Sequence, residues 1–377
     1  MKILCDRSRL AAGLAPIMPA IPVKETAKPA MKFVHIEAKD DKLVLQGSNM
    51  ELSIEVTIDS VKIEEPGRAL LPAKTFFALI NEVTDPTLRI EVVGNRLTLP
   101  TSSGKFEMVT SSAEDYPDLS FVADGKGLEI ACERFAQQVS ATEFACAKEA
   151  ARYATNGVLL SVIDDRFATV ATDGRRLAFM SAKCEGAADI ESGWQVLLPH
   201  KSLQATVRAI TALTSGQPNA TLTIFVTANM ALFVLPQARV AMTVIQGVFP
   251  DYLSAIPRGC KSYIEFNKAL LEANVRRTTV MTDDSNPAVR LVFEGSQARF
   301  SSEAAGLGAA ETAMDVTMQG PGGTIVFNPA FILEILKVSK EDLVHFEFDD
   351  ENSPGKFVLS ADEELEQLYV IMPITGL

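Results

Sequence analysis

The stretch Leu197-Leu198-Pro199-His200-Lys201 opens an apolar, helix-like run near the middle of the chain, and the chain repeats it. Leu70-Leu71-Pro72-Ala73-Lys74 opens a second such run, and Phe327-Asn328-Pro329-Ala330-Phe331 a third. The prolines recur at intervals of roughly 130 residues, too long for a solenoid unit and about the size of a domain. A second marker keeps the same spacing: Tyr116-Pro117-Asp118, Phe249-Pro250-Asp251-Tyr252 and Met372-Pro373-Ile374. Three similar domains in a row point to a built shape, such as an arc, rather than to one enclosed pocket.

With 377 residues and 47% apolar content, the chain is long enough for several cores and too apolar to be disordered. No apolar run approaches the roughly 20 residues that span a bilayer. Met1-Lys2-Ile3-Leu4-Cys5-Asp6-Arg7 reads as a first strand rather than a signal peptide, so a cytoplasmic location with no membrane partner is expected. Cys5, Cys132, Cys146, Cys184 and Cys260 are scattered and odd in number, which fits reduced thiols. His35, His200 and His345 lie far apart and form no ligand spacing, so neither a metal nor a cofactor is expected. A net charge of −13 argues against a uniformly basic nucleic-acid binder. Contact with a polyanion then requires a local basic face on an acidic body.

Strand patterns dominate. Residues 33–37 and 43–46 flank a short acidic turn, and 88–93 and 96–99 flank Gly94-Asn95, a hairpin signal. Residues 159–163 and 167–171 flank Asp164-Asp165-Arg166, and the pattern returns at 290–293, 298–301 and 357–360. Two helix-like runs interrupt the strands of each third. The first lies at 8–20, 133–147 and 268–280; the second follows the proline marker at 74–83, 201–213 and 329–338. Leu203, Val207 and Ile210 recur at helical spacing and are expected to face a sheet. The class is therefore α+β: three structurally similar domains, each with two helices packed on small antiparallel sheets. Turn-rich stretches near Gly125 and Pro257 set the expected boundaries at 1–125, 126–257 and 258–377.

Lys201 and Arg208, seven residues apart, share a helix face away from the apolar stripe. Lys74 occupies the matching helix start in the first third, and Lys337 and Lys340 end the matching helix in the last. The first helices add Arg7, Arg9, Arg134, Lys148, Arg152, Lys268, Arg276 and Arg277. Such positions are usually a solvated face; the alternative is a basic surface shared by equivalent helices and suited to phosphates, which the repetition favours. Asp173-Gly174 within residues 171–178 reads as a hairpin turn. Asp164-Asp165, Asp283-Asp284 and Asp349-Asp350 invite a two-metal reading, but each falls where turn aspartates are expected and no phosphate-loop or hydrolase motif accompanies them. The run from Leu368 to Leu377 is an ordinary last strand or the wall of a groove for apolar peptides.

Residues 152–157, 171–178, 249–252 and 369–373 together resemble the bacterial sliding clamps, the beta subunits of DNA polymerase III, with order and spacing compatible over essentially the whole chain. The resemblance implies a non-enzymatic processivity factor: a ring-forming, head-to-tail homodimer around duplex DNA, helices lining the hole and sheets outside. It implies no catalytic residue. DNA-facing positions would be Lys24, Lys74, Lys148, Arg152, Tyr153, His200, Lys201 and Arg208. A cleft for partner peptides would use Thr155, Thr172, Gly174, Arg175, Arg176, Leu177, Pro250, Ser254, Val370, Ile371, Met372, Pro373 and Ile374, with Arg176 able to donate to a peptide carbonyl or glutamine. Thr155 stands where many relatives have leucine and Arg175 where histidine is common. Ser254-Ala255 replaces a bulkier pair, and Thr375-Gly376-Leu377 a basic-Leu ending. The dimer seam would bring Lys105 and Phe106 against Val280, Met281 and Glu303 through paired edge strands. Implied partners are double-stranded DNA without sequence preference, the replicative polymerase's catalytic subunit, an ATP-dependent clamp loader, repair proteins and a second copy of the chain, at the nucleoid. Two other classes remain open: a nucleotidyltransferase using the aspartate pairs, and a β-rich assembly scaffold that does not touch DNA.

Overall fold

The computed structural model describes residues 1–24, 28–148, 154–191, 193–283 and 287–376. Each third of the chain supplies two α-helices: α1 (Arg7–Leu14) and α2 (Ala73–Glu82), α3 (Cys132–Thr142) and α4 (His200–Leu213), α5 (Lys268–Thr279) and α6 (Pro329–Val338). By contact density the chain divides into two compact units. One comprises Met1–Gln137, Ala188–Glu191 and Lys201–Ile245; the other comprises Gln138–Ala187, Ser192–His200 and Gln246–Leu377. The middle third thus contributes to both.

In the first unit a five-stranded antiparallel sheet runs β5 (Lys62–Glu65), β1 (Lys2–Asp6), β7 (Thr87–Val93), β8 (Arg96–Thr101), β9 (Gly104–Val109). A second sheet runs β10 (Leu128–Ala131), β15 (Thr221–Val226), β16 (Met230–Leu235), β17 (Ala238–Thr243), β4 (Leu52–Ile58), β3 (Lys42–Ser48), β2 (Phe33–Lys39), β6 (Gly67–Pro72). Its β17–β4 pairing, Ala238 opposite Val56 through Met242 opposite Leu52, joins strands from two thirds of the chain, which is why they condense into one unit. Strand alternation does the sorting: β4 buries Leu52, Ile54, Val56 and Ile58 and leaves the residues between them half-exposed. The α1 residue Gly13 lies so close to Ile58 and Leu45 that an added Cβ would come within 2.8 Å of a side-chain carbon.

In the second unit a long antiparallel sheet runs β14 (Gln195–Pro199), β11 (Gly157–Ile163), β12 (Arg166–Thr172), β13 (Arg176–Lys183), β26 (Leu365–Ile371), β25 (Gly355–Ala361), β24 (Leu343–Phe348), β18 (Ser262–Asn267), β22 (Thr317–Gln319). A four-stranded sheet runs β21 (Gly308–Asp315), β20 (Gln297–Ala304), β19 (Val289–Glu294), β23 (Gly323–Phe327). Phenylalanines from both sheets meet: Phe293 lies 5.8 Å from Phe346 and 5.4 Å from Phe348, and Phe346 lies 4.6 Å from Phe357, centroid to centroid. Tilted rings at these spacings add electrostatic complementarity to the area they bury.

The helix starts show how the repeated prolines act. Only Pro329 sits in a first helical turn, behind an Asn328 cap that accepts from the Ala330 amide at 3.0 Å. Pro72 is itself the cap residue of α2, and Pro199 is the last residue of β14. The proline marks the strand-to-helix junction rather than a fixed helical position, because its restricted φ suits both. The first helices are also shorter than their apolar runs. The α-helical part of the first ends at Leu14 and continues as a 3-10 helix, Ala15–Ala20, where Pro16 and Pro19 lack the amides an α-helix needs. The second ends at Thr142, whose hydroxyl turns back to the Gln138 carbonyl at 3.0 Å, and a 3-10 turn, Glu143–Ala145, follows.

Candidate peptide cleft and nucleic-acid face

Several predicted cleft residues meet on adjacent strands inside the long sheet of the second unit. In register, Thr172 of β12 stands opposite Leu177 of β13, and Leu177 stands opposite Val370 of β26. Directly paired residues share a face, so these three form one row across three strands. All three are buried. Phe179, two residues on and therefore on the same face, stacks on Tyr252 at 6.0 Å, and Tyr252 meets Phe249 edge-on at 6.3 Å. These contacts bring the segment carrying Pro250 to the row. The loop that carries Thr155 is tied to the same segment, since the Ala154 amide donates to the Val248 carbonyl at 3.4 Å.

The turn between β12 and β13 is built from its own sequence. The Asp173 carboxylate accepts the amides of Arg175 and Arg176 at 3.0 and 3.1 Å, and the Thr172 hydroxyl accepts the Gly174 amide at 3.0 Å and donates to the Arg176 carbonyl at 2.6 Å. Gly174 has φ +84, and an added Cβ would meet nothing within 4 Å, so the demand for glycine is conformational rather than spatial. The Arg175 carbonyl accepts the Met372 amide at 2.8 Å, and the Ile374 amide reaches Val326 at 2.8 Å, which fixes the tail after β26. Met372 is 45% exposed, Pro373 and Ile374 are half-buried, and Arg175 and Ser254 are exposed.

Two expected members fall elsewhere. Arg176 and Ile371 pair with each other, one residue out of step with the Leu177–Val370 pair, and therefore occupy the opposite face. Tyr369, on that same face, lies 5.7 Å from Phe144, and the Arg176 guanidinium lies 5.4 Å from the same ring. Arg176 is spent inside the protein: its side chain is 9% exposed, with donors on Asp173, Glu334 and the Phe144 carbonyl. The expected donation from Arg176 to a bound peptide gives way to these internal bonds, because the pleat turns its side chain away from the row. Conversely, Phe179 and Tyr252 stand at the row and were missed, and Val248 and Leu253 flank the Phe249–Tyr252 segment in sequence. Val248 and Leu253 are exposed apolar side chains, a signal that burial reveals and composition hides.

The basic positions divide by exposure. On α4, Leu203 and Ile210 are buried and Val207 is half-buried, whereas Lys201 and Arg208 are exposed, Arg208 bonding Gln204 at 3.0 Å. Lys24, Lys74 and Lys148 are exposed as well. Arg152 and Tyr153 lie outside the described residues. The half-buried His200 imidazole lies 3.5 Å from the Glu143 carboxylate. Among the other helix cations, Arg276 is paired with Glu272 at 2.7 Å and Lys268 donates to the Ser339 carbonyl at 2.6 Å, so part of that charge is already used.

Lys105 and the exposed Phe106 sit on β9, the outer strand of its sheet. Lys105 pairs with Glu107 of its own strand at 2.5 Å. Val280 is exposed and Met281 half-buried at the end of α5. Glu303 is exposed on β20, one strand inside the outer strand β21. The alanine- and glycine-rich β21 carries little strand propensity of its own and escaped the sequence reading.

Asp164-Asp165 and Asp349-Asp350 lie in a turn and a bend between strands. Asp164 has φ 54 in the β11–β12 hairpin, Asp349 accepts the Lys261 amide at 3.0 Å, and Asp350 accepts from Asn352 and Ser353; Asp284 lies outside the described residues. Among the described residues, no three His, Cys, Asp or Glu side chains are arranged to hold a metal ion. No described helix is long and apolar enough to cross a membrane.

Three family models match in order: the DNA polymerase III beta subunit N-terminal domain at residues 1–120, the central domain at 129–251 and the C-terminal domain at 253–375. The beta sliding clamp of Chlamydia pneumoniae is 26% identical over 375 residues, covering 99% of both chains, and that of Escherichia coli K12 is 24% identical over the same length, covering 99% of this chain and all of the other. Among solved structures, the DNA polymerase III subunit beta of Pseudomonas aeruginosa superposes with a TM-score of 0.92 at 22% identity, covering 99% of this chain and all of that one. The Bacillus subtilis sliding clamp superposes at 0.91 with 24% identity over the full length of both. With all three domain models in sequence order on three repeated α+β domains, the chain belongs to the DNA polymerase III beta subunit family, the bacterial beta sliding clamps.

Proposed function

We propose that two copies close head to tail into a ring around duplex DNA and lend processivity to the replicative polymerase. The observation that carries this reading is the outer face of α4. Lys201 and Arg208 are presented to solvent two turns apart, on a chain whose net charge is −13. A localised basic face on an acidic body suits transient phosphate contacts, which hold a duplex without reading its sequence and let it slide. Lys24, Lys74, Lys148 and His200 are proposed to join that face, together with Arg152 and Tyr153. The ring's grip is topological and does not need tight binding.

The seam is proposed to pair β9 of one protomer with β21 of the next, bringing Lys105 and Phe106 against Val280, Met281 and Glu303. Two outer strands that pair across copies are removed from solvent and from promiscuous association. The Thr172–Leu177–Val370 row, with Gly174, Arg175, Thr155, Pro250, Ser254, Met372, Pro373 and Ile374 around it, is proposed as the docking cleft for the polymerase's catalytic subunit and for repair proteins. A clamp of Pseudomonas aeruginosa has been solved bound to griselimycin, so a member of this family accommodates a bound ligand. A docked partner gains the tether as high effective concentration. The chain contributes no chemistry of its own in this reading. Ring opening falls to an ATP-dependent loader, and the site of action is the nucleoid in the cytoplasm.

Retention on nicked circular DNA tests the ring. Loaded protein is expected to persist on the circle through a wash of raised salt and to be lost when the circle is linearised. Equal loss from both forms refutes encirclement. For the cleft, the probe is a short fluorescein-labelled peptide carrying adjacent Leu and Phe, with binding read by fluorescence polarisation.

A further inference from the structure

Arg175 and Arg176 are neighbours with opposite fates: Arg175 lies in solvent, and Arg176 is enclosed. The Arg176 Nε donates to Asp173 Oδ2 at 3.1 Å, Nη2 to the Phe144 carbonyl at 2.7 Å, and Nη1 to Glu334 Oε2. Its guanidinium carbon lies 4.4 Å from the Phe331 ring centroid and 5.4 Å from that of Phe144. The groups around it come from three places: the β12–β13 turn, the 3-10 turn after α3, and α6. A planar fork with fixed donors suits such a junction, whereas a lysine could satisfy only one direction at a time.

We propose that Glu334 is a positioning residue for the peptide cleft, acting through Arg176 from the opposite face of the sheet. The proposal rests on the cleft reading given above. The Arg176 backbone is part of the turn that presents Leu177, and the preceding carbonyl, that of Arg175, holds the Met372 amide at 2.8 Å. Fixing the Arg176 side chain therefore fixes both the floor residue Leu177 and the rim residue Met372. Glu334 is 44% exposed, so solvent screens part of its pull. The guanidinium lies between two rings and is shared by the Asp173 and Glu334 carboxylates; loss of Glu334 leaves Asp173 as its one charged partner and removes the tie to α6.

Glu334→Gln keeps the shape of the side chain and removes its charge. It is expected to weaken binding of the fluorescein-labelled Leu-Phe peptide by roughly three- to tenfold, the scale of one charge-assisted hydrogen bond after screening. Hydrogen exchange at the Met372 and Gly174 amides is expected to quicken, while that at Val170, inside β12, stays as in the parent. Arg176→Lys, which keeps the charge and loses the fork, is expected to reproduce both effects, with unchanged exchange at Val170 as the check that the sheet is intact. Unchanged exchange at Met372 in both variants overturns the proposed hold on the turn. Faster exchange with unchanged peptide affinity overturns its role in the cleft. If the parent protein itself fails to bind the peptide, or binds it equally well after Met372→Ala, the cleft reading falls and the positioning role with it. Exchange at Met372 then still reports separately whether Glu334 holds the turn.

Discussion

Leu177 of β13 and Val370 of β26 stand directly opposite each other, although 193 positions separate them in the chain. Their pairing lies inside the long sheet of the second unit and joins a middle-third hairpin to the final strand. It also brings Met372 to the Arg175 carbonyl.

The exposed rim of this row is expected to carry much of the peptide affinity. Met372→Ala removes a side chain of which a docked peptide would bury the exposed half, a loss on the order of 1 kcal/mol, or roughly three- to tenfold in Kd. Deleting residues 372–377 is expected to abolish stimulation of the polymerase and leave the dimer intact by light scattering. Unaltered peptide affinity in both variants would remove the tail from the cleft.

The proposed seam predicts a monomer when charge is placed in it. Met281→Asp would bury an unpaired carboxylate against the next protomer, at a cost on the order of a few kcal/mol. Sedimentation at low micromolar concentration is expected to give one protomer's mass. A dimer that persists there excludes Met281 from the interface.

Reversing both α4 charges, Lys201→Glu with Arg208→Glu, is expected to leave the melting temperature within a degree or two, because both side chains are exposed. Loading onto circular DNA is expected to fall, and the salt dependence of direct DNA binding to become shallower by about two phosphate contacts. Identical salt slopes for variant and parent would place these residues away from the duplex.

His35 supplies a pH test in the first unit. It is buried on β2 and stacks on Tyr116 at 5.4 Å. Burial is the main cause holding its pKa below the ordinary 6.5; Arg68 adds to this, while Glu37 and a hydrogen bond with Gln46 oppose it. The unfolded chain therefore takes up the proton first as pH falls. The stability that neutral His35 provides is present above about 6.5 and declines as pH drops from there toward the folded pKa. His35→Phe is expected to flatten the fall in melting temperature between pH 7.5 and 5.5 relative to the parent. An equal fall in both proteins would assign the acid sensitivity to other groups.

Much of the architecture was legible in the sequence because it rests on local chemistry. The helix after Pro329 runs over the predicted residues, and the second helix of each other third begins within a residue of its predicted start, because apolar spacing and strand-to-helix junctions act over a few positions. The hairpins at Gly94-Asn95 and Asp173-Gly174 form where left-handed backbone is cheap. Solvent exposure of Lys201 and Arg208 followed from helical periodicity alone.

The sequence by itself determined the three repeated domains, their α+β character and the polar faces of their helices, because periodicity and turn chemistry are properties of neighbouring residues. Only the tertiary structure decided that Arg176 leaves the Thr172–Leu177–Val370 row while Leu177 joins it, that Phe179 and Tyr252 belong to that row, and that β21 is an outer strand. Strand register sets the first of these outcomes, and strand order and loop packing set the others. A shift of one residue exchanges the two faces of a strand, and the register of β13 on β26 is fixed by a partner roughly 200 positions away, whose pairing no local pattern encodes.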